Sequence, residues 1–138
     1  MSTALLCLLG FVGWTLLLLI SIGVIRVSHV LTGARRPNEF PGGERHGSDR
    51  YWRLNRAHAN CLENLPIFAA LVLVAAAADV SEPRLGQLAV VILAGRVGQS
   101  VAHISSGRNL AVNVRFAFFL SQLVCFVWMG ILIARTRL

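Results

Sequence analysis

Lysine is absent from this chain and acidic residues are few: six Asp and Glu stand against 13 Arg, for a formal charge of +7. The missing lysines fit a GC-rich, bacterial type of coding bias. Cysteine is sparse as well. Cys7, Cys61 and Cys125 are odd in number, each lies in an apolar stretch, and none has a second Cys at redox or metal spacing. That excludes a disulfide framework, offers no metal site, and leaves three small buried hydrophobes. A secretory signal is missing too, because Met1, Ser2 and Thr3 supply no basic n-region and no small-residue cleavage site closes the run that follows. The first apolar stretch is therefore expected to be a retained helix.

What is present in excess is hydrocarbon. A hydrophobic fraction of 56% over 138 residues is too high for an ordinary water-soluble domain, and the length suits one compact unit. A bilayer-crossing helix needs roughly 20 predominantly apolar residues. Ala4 to Ile25 is such a run, free of charge and bounded by Arg26. Gly33, Pro37, Pro41, Gly42 and Gly43 then mark a polar loop reaching about Trp52, which holds Tyr51, the one Tyr of the chain, and the solvated His29 and His46. Hydropathy and turn signals predict helices over about 3–31, 54–78, 84–104 and 110–135. Pro66 sits inside the second helix, as membrane helices tolerate, and Pro83 is placed to open the third after the turn at Asp79 to Glu82. The short turns make neighbours antiparallel. The expected fold class is an all-α integral membrane protein, a four-helix antiparallel bundle forming a single domain over residues 1–138.

In such a protein the position of the charges outweighs their sum, so no nucleic-acid partner is expected. Seven of the Arg lie between Arg26 and Arg56, against Glu39, Glu44 and Asp49. That excess puts the 32–53 loop on the cytoplasmic side, in a bacterial inner membrane, although Arg135 and Arg137 pull weakly the other way.

Three charges fall inside the spans, namely Glu63, Arg96 and Arg115. Each costs about 2.5–3.5 kcal/mol at the bilayer centre on insertion scales, so each needs a partner, a cavity or a function. At 100° per residue Arg56, Asn60 and Glu63 share one stripe of the second helix; Arg96, Gln99, Ser100 and His103 share one on the third; and Arg115, Phe118, Phe119 and Gln122 align on the fourth. The stripes are expected to converge away from lipid. An ion pair between Glu63 and Arg96, with the amides as interhelical glue, is the structural alternative. It leaves Arg115 unmatched, whereas an anionic ligand supplies the missing charge.

The segment Arg56-Ala-His-Ala-Asn60-Cys-Leu-Glu63-Asn-Leu-Pro-Ile-Phe68 resembles the R-A-x-x-N-x-x-E signature of the membrane-associated proteins in eicosanoid and glutathione metabolism (MAPEG), among them the microsomal glutathione transferases. Gly95-Arg96-Val97, the position of Arg115 early in the fourth helix, and the four-helix plan extend the likeness over most of the chain. The resemblance implies a homotrimer with glutathione as co-substrate at each subunit interface. Arg56, Asn60 and Glu63 would hold the charged ends of the tripeptide, with Arg26, Arg96 and His103 as further contacts, and Arg115 would stabilise the thiolate. Phe118 and Phe119 stand in the region where some relatives carry a Tyr.

The expected activity is a glutathione transferase or peroxidase acting on lipophilic small molecules that enter from the membrane lipids. Two other classes remain open. One is a small four-helix multidrug-type transporter using Glu63, and the other is a non-catalytic membrane scaffold. Proton-coupled drug uptake that depends on Glu63, without glutathione binding, would decide for the transporter.

Overall fold

A computed structural model describes residues 1–136, so Arg137, weighed above for orientation, lies outside the described residues. Four helices follow one another: α1 (Thr3–Leu31), α2 (Asp49–Ala77), α3 (Pro83–Ser105) and α4 (Asn109–Arg135). All four are long and apolar enough to cross a membrane. Three of them open on a side-chain cap, which satisfies an amide that has no partner inside the helix. Ser2 Oγ accepts from the Leu5 amide at 3.4 Å, Ser48 Oγ from the Tyr51 amide at 3.2 Å, and the Glu82 carboxylate from the Arg84 amide at 3.2 Å, with Pro83 in the first turn of α3.

The second cap corrects the expected boundary. α2 begins at Asp49 rather than Leu54, because Ser48 caps it and the Asp49 carboxylate sits in its first turn, where the helix dipole favours negative charge. Tyr51 and Trp52 therefore belong to α2, not to the loop. Pro66 lies inside α2 without ending it.

α2 and α3 form the central pair. Each touches all the other helices, whereas α1 and α4 do not meet. An aromatic column ties the outer helices to the centre: Phe68 on α2 stands 5.6 Å from Phe11 on α1 and 6.2 Å from Phe126 on α4, centroid to centroid, in tilted geometry. Ile92, Val72 and Met129 complete the buried interior. α3 approaches α4 closely because small residues face the contact: a Cβ on Gly95 would lie 3.2 Å from Gln122 Cγ, and one on Gly98 would lie 2.8 Å from Phe118 Cζ. Leu16, Ile20, Leu73, Leu123 and Val127 are exposed on the outer surface, the side suited to acyl chains.

The antiparallel order puts the α1–α2 loop and the α3–α4 turn at one end of the bundle. That end gathers the C-terminal turns of α1 and α3 and the N-terminal turns of α2 and α4. It carries most of the arginines.

Truncating Phe68 to Ala removes the ring that links α1 to α4. Because the unfolded reference in a membrane is lipid and not water, the loss is one of packing contacts, and it should stay below the about 3–5 kcal/mol typical of a water-soluble core. A Gly95→Leu variant, which drives a side chain into Gln122, should lower the unfolding midpoint in detergent by more than Phe68→Ala does. Thermal unfolding followed by circular dichroism checks the order.

Candidate functional site

At a rise of 1.5 Å per residue, Arg26, Arg56 and Arg115 each lie about 7–11 Å inside the loop end of their helices, with Arg96 and Glu63 deeper by roughly 4–12 Å. The topology therefore brings arginines of α1, α2 and α4 to similar depth, with that of α3 one turn deeper. Their directions differ, and one chain does not gather all seven expected residues into one pocket.

On α2, Arg56 and Glu63 are exposed and Asn60 is half-buried. Their stripe faces out of the four-helix unit, which corrects the expectation that it turns inward. Glu63 forms no ion pair with Arg96, since the one salt bridge among the described residues is Arg45 to Asp49 at 2.6 Å. The interhelical Glu63–Arg96 pair is therefore not present.

On α3 the stripe does turn inward. Arg96, Gln99 and Ser100 are buried, and His103 is half-buried. Arg96 is the largest fully buried side chain, at 1% exposure, with its guanidinium carbon 5.6 Å from the Phe11 ring centroid. That cation–π contact compensates part of the desolvation. Its Nε and Nη2 nevertheless find no hydrogen-bond partner. Beside it, Ser100 Oγ donates to the Arg96 carbonyl at 2.9 Å and lies 3.7 Å from Cys61 Sγ. Gln122 on α4 donates through Nε2 to Gln99 Oε1 at 3.2 Å and to the Phe118 carbonyl at 2.8 Å, which joins the two polar stripes by an amide bridge.

Arg115 and His103 are brought together across the α3–α4 turn, with Arg115 Nη1 hydrogen-bonded to His103 Nδ1. A guanidinium only donates, so His103 Nδ1 is the acceptor and its proton sits on Nε2. That Nε2 is buried and has no partner. The pair thus presents an always-charged cation and an unused N–H donor side by side, a combination that attracts an anion.

Arg26 is already engaged. Its Nε donates to Tyr51 Oη at 2.8 Å, and its guanidinium stands 5.5 Å from the Phe40 ring centroid. Tyr51 is a neighbour of Arg26 that placement in the loop had hidden. The signal for it was the Ser48-Asp49 helix start two residues before it. His29 and His46, expected in solvent, are half-buried; His29 Nδ1 bonds the Ile25 carbonyl at 2.8 Å from the last turn of α1. Phe118 packs against Gly98, so its ring is used for helix contact. Among the described residues no group of His, Cys, Asp or Glu could hold a metal ion.

The four apolar helices make this a multi-pass integral membrane protein. No curated protein matches the chain. Residues 4–135, nearly its whole length, match the model of the MAPEG family. The chain therefore belongs to the MAPEG family, which includes glutathione transferases and related enzymes.

Proposed function

We propose that the protein is a glutathione-dependent transferase or peroxidase acting on lipophilic electrophiles, assembled as a homotrimer with its sites between subunits. The observation that carries this reading is the outward stripe on α2. Arg56 and Glu63 are exposed on a membrane-crossing helix of the single chain. Lipid does not solvate a guanidinium and a carboxylate at that depth, so the face calls for a second polar surface and a charged ligand. A second copy supplies the surface. Arg115 and His103, at similar depth on the neighbouring helices, supply the complementary wall. The reading extends to one domain over residues 1–138 and to a bacterial inner membrane, with the 32–53 loop on the cytoplasmic side where glutathione is present.

The chemistry follows from charge. Glutathione has two carboxylates and one ammonium, and Arg56, Arg26 and Glu63 offer the matching signs, with Asn60 and the His103 Nε2–H as further hydrogen-bonding groups. Arg115 stabilises the thiolate over the thiol, because a guanidinium in a low-dielectric site favours the anion. The thiolate attacks the electrophilic carbon of the second substrate, a C–S bond forms, and the leaving group departs with the bonding pair. Arg96, buried behind Phe11, adds positive field without touching the ligand face. With Phe118 and Phe119 on α4 in place of a tyrosine, activation rests on the cation and on His103.

Glu63 has no ion pair among the described residues, and this keeps the transporter reading in play as an outcome of the same test. Calorimetric titration of the purified protein with glutathione should show one site per chain. Absence of heat, together with Glu63-dependent uptake of a cationic dye in vesicles, would replace the enzyme by the transporter. Arg115→Leu should lower kcat/KM by about 10²-fold, the scale of losing one charge-stabilising donor, while native mass spectrometry still reports a trimer; unchanged turnover removes Arg115 from the mechanism. Glu63→Gln should weaken glutathione binding by roughly tenfold, about 1.4 kcal/mol, with the thiolate's ultraviolet signature retained at saturation.

A further inference from the structure

A well-formed cavity lies away from the signature face of α2. It measures about 570 Å³ and sits between α1, the loop, the start of α2 and the end of α3, within the range of about 300–1,000 Å³ usual for small-molecule sites. None of the seven expected site residues lines it. On α2 it is bounded by Tyr51 and Leu54, which at 100° per residue point about half a turn away from Arg56, Asn60 and Glu63. On α1 its wall runs from Ser21 through Ile25 to His29, one helix face reaching about 15 Å from the end of α1 toward the bilayer interior.

Its two ends differ in chemistry. Its apolar wall is formed by Ile25, Leu54 and Ile104, with Ser21, whose hydroxyl is spent on the Leu17 carbonyl at 2.8 Å, at the deepest point. The rim carries Arg35, Arg50 and His46 and no acidic side chain. Arg35 spends one donor on the Glu39 carbonyl at 3.2 Å, and Arg50 has no ion-pair partner among the described residues. His46 is held rigidly, edge-on to Tyr51 at 5.3 Å and to Phe40 at 6.2 Å between ring centroids. Its Nδ1 bonds the Glu44 carbonyl at 2.8 Å. A carbonyl only accepts, so Nδ1 carries the proton, and the buried Nε2 is left without a partner. The wall is also rigid at Gly47, which adopts φ +73° and leaves room for the Tyr51 ring, whose Cδ1 would be 2.9 Å from any Cβ.

We propose that this cavity binds a single-chain amphiphile with a carboxylate or phosphate headgroup, the head held by Arg35 and Arg50 and the chain lying along Ser21 and Ile25 into the bilayer. Glutathione fits poorly, because its ammonium would meet no carboxylate and its charged ends would face the apolar wall. A bare anion leaves that wall unfilled. The proposal is independent of the glutathione reading.

The test uses the full-length protein in decyl maltoside, titrated with dodecyl phosphate, dodecanol or inorganic phosphate while its thermal midpoint is followed. Dodecyl phosphate should raise the midpoint by several degrees, and the other two should not. Arg35→Gln/Arg50→Gln should weaken that response by tenfold or more in apparent affinity, and Ser21→Phe, which fills the cavity without altering its charge, should abolish it. Equal responses of wild type and both variants, or a full response to inorganic phosphate, would overturn the proposal. To separate sources, nanodiscs of neutral lipid plus dodecyl phosphate are compared with nanodiscs containing lysophosphatidylglycerol; the set that stabilises wild type but not Ser21→Phe names a free amphiphile or a membrane lipid, and no response in either sinks the site. Both variants should bind glutathione as wild type does, so loss of glutathione binding in wild type would strike the enzyme reading alone.

Discussion

An ion in hydrocarbon has to be surrounded by something other than lipid, and most of what is distinctive in this protein follows from that. The chain meets the demand in two ways. Arg96 is enclosed by the fold itself, at 1% exposure beneath the Phe11 ring and beside the Gln99–Gln122 amide bridge. A buried guanidinium with two unpartnered nitrogens is a cost that packing alone does not offset. It gives the interior of α3 and α4 a polar register in which one helix cannot slide along the other without breaking the amide contact. Arg56 and Glu63 stand the other way, outward on α2, where the proposed second copy would cover them.

α2 is therefore a two-sided helix. One side carries the family signature, and the other, through Tyr51 and Leu54, faces α1 and the cavity under the loop. Arg26 of α1 meets the cavity side, donating to Tyr51 Oη while also lying against Phe40. Small residues make the complementary arrangement possible on α3, where Gly95 and Gly98 let α4 approach until Gln122 and Phe118 rest on its backbone.

Much of this was legible in the residues. Long uncharged runs bounded by arginine and proline locate helices wherever the bilayer sets the length, and the spacing Arg56-Asn60-Glu63 defines a single stripe on a helix regardless of its neighbours. The start of α2 was misjudged because polar sequence around Arg50 and Arg53 looked like loop, although Ser48 followed by Asp49 is a helix-start signal in its own right. The Glu63–Arg96 pair failed for a different reason. Opposite charges on two membrane helices invite pairing, but α3 turns Arg96 into the chain while α2 turns Glu63 out of it.

The sequence by itself determined that this is a four-span membrane protein, that its cations collect at one end, and which residues share each helical stripe, because span length and the 100° period are local properties of the chain. Only the tertiary structure decided which way each stripe faces, that Arg115 meets His103, and that a cavity opens behind the signature helix. Those depend on the rotation of each helix about its axis, and that rotation is set by contacts such as Gly98 with Phe118 and Phe68 with Phe11 and Phe126, which join residues far apart in the chain.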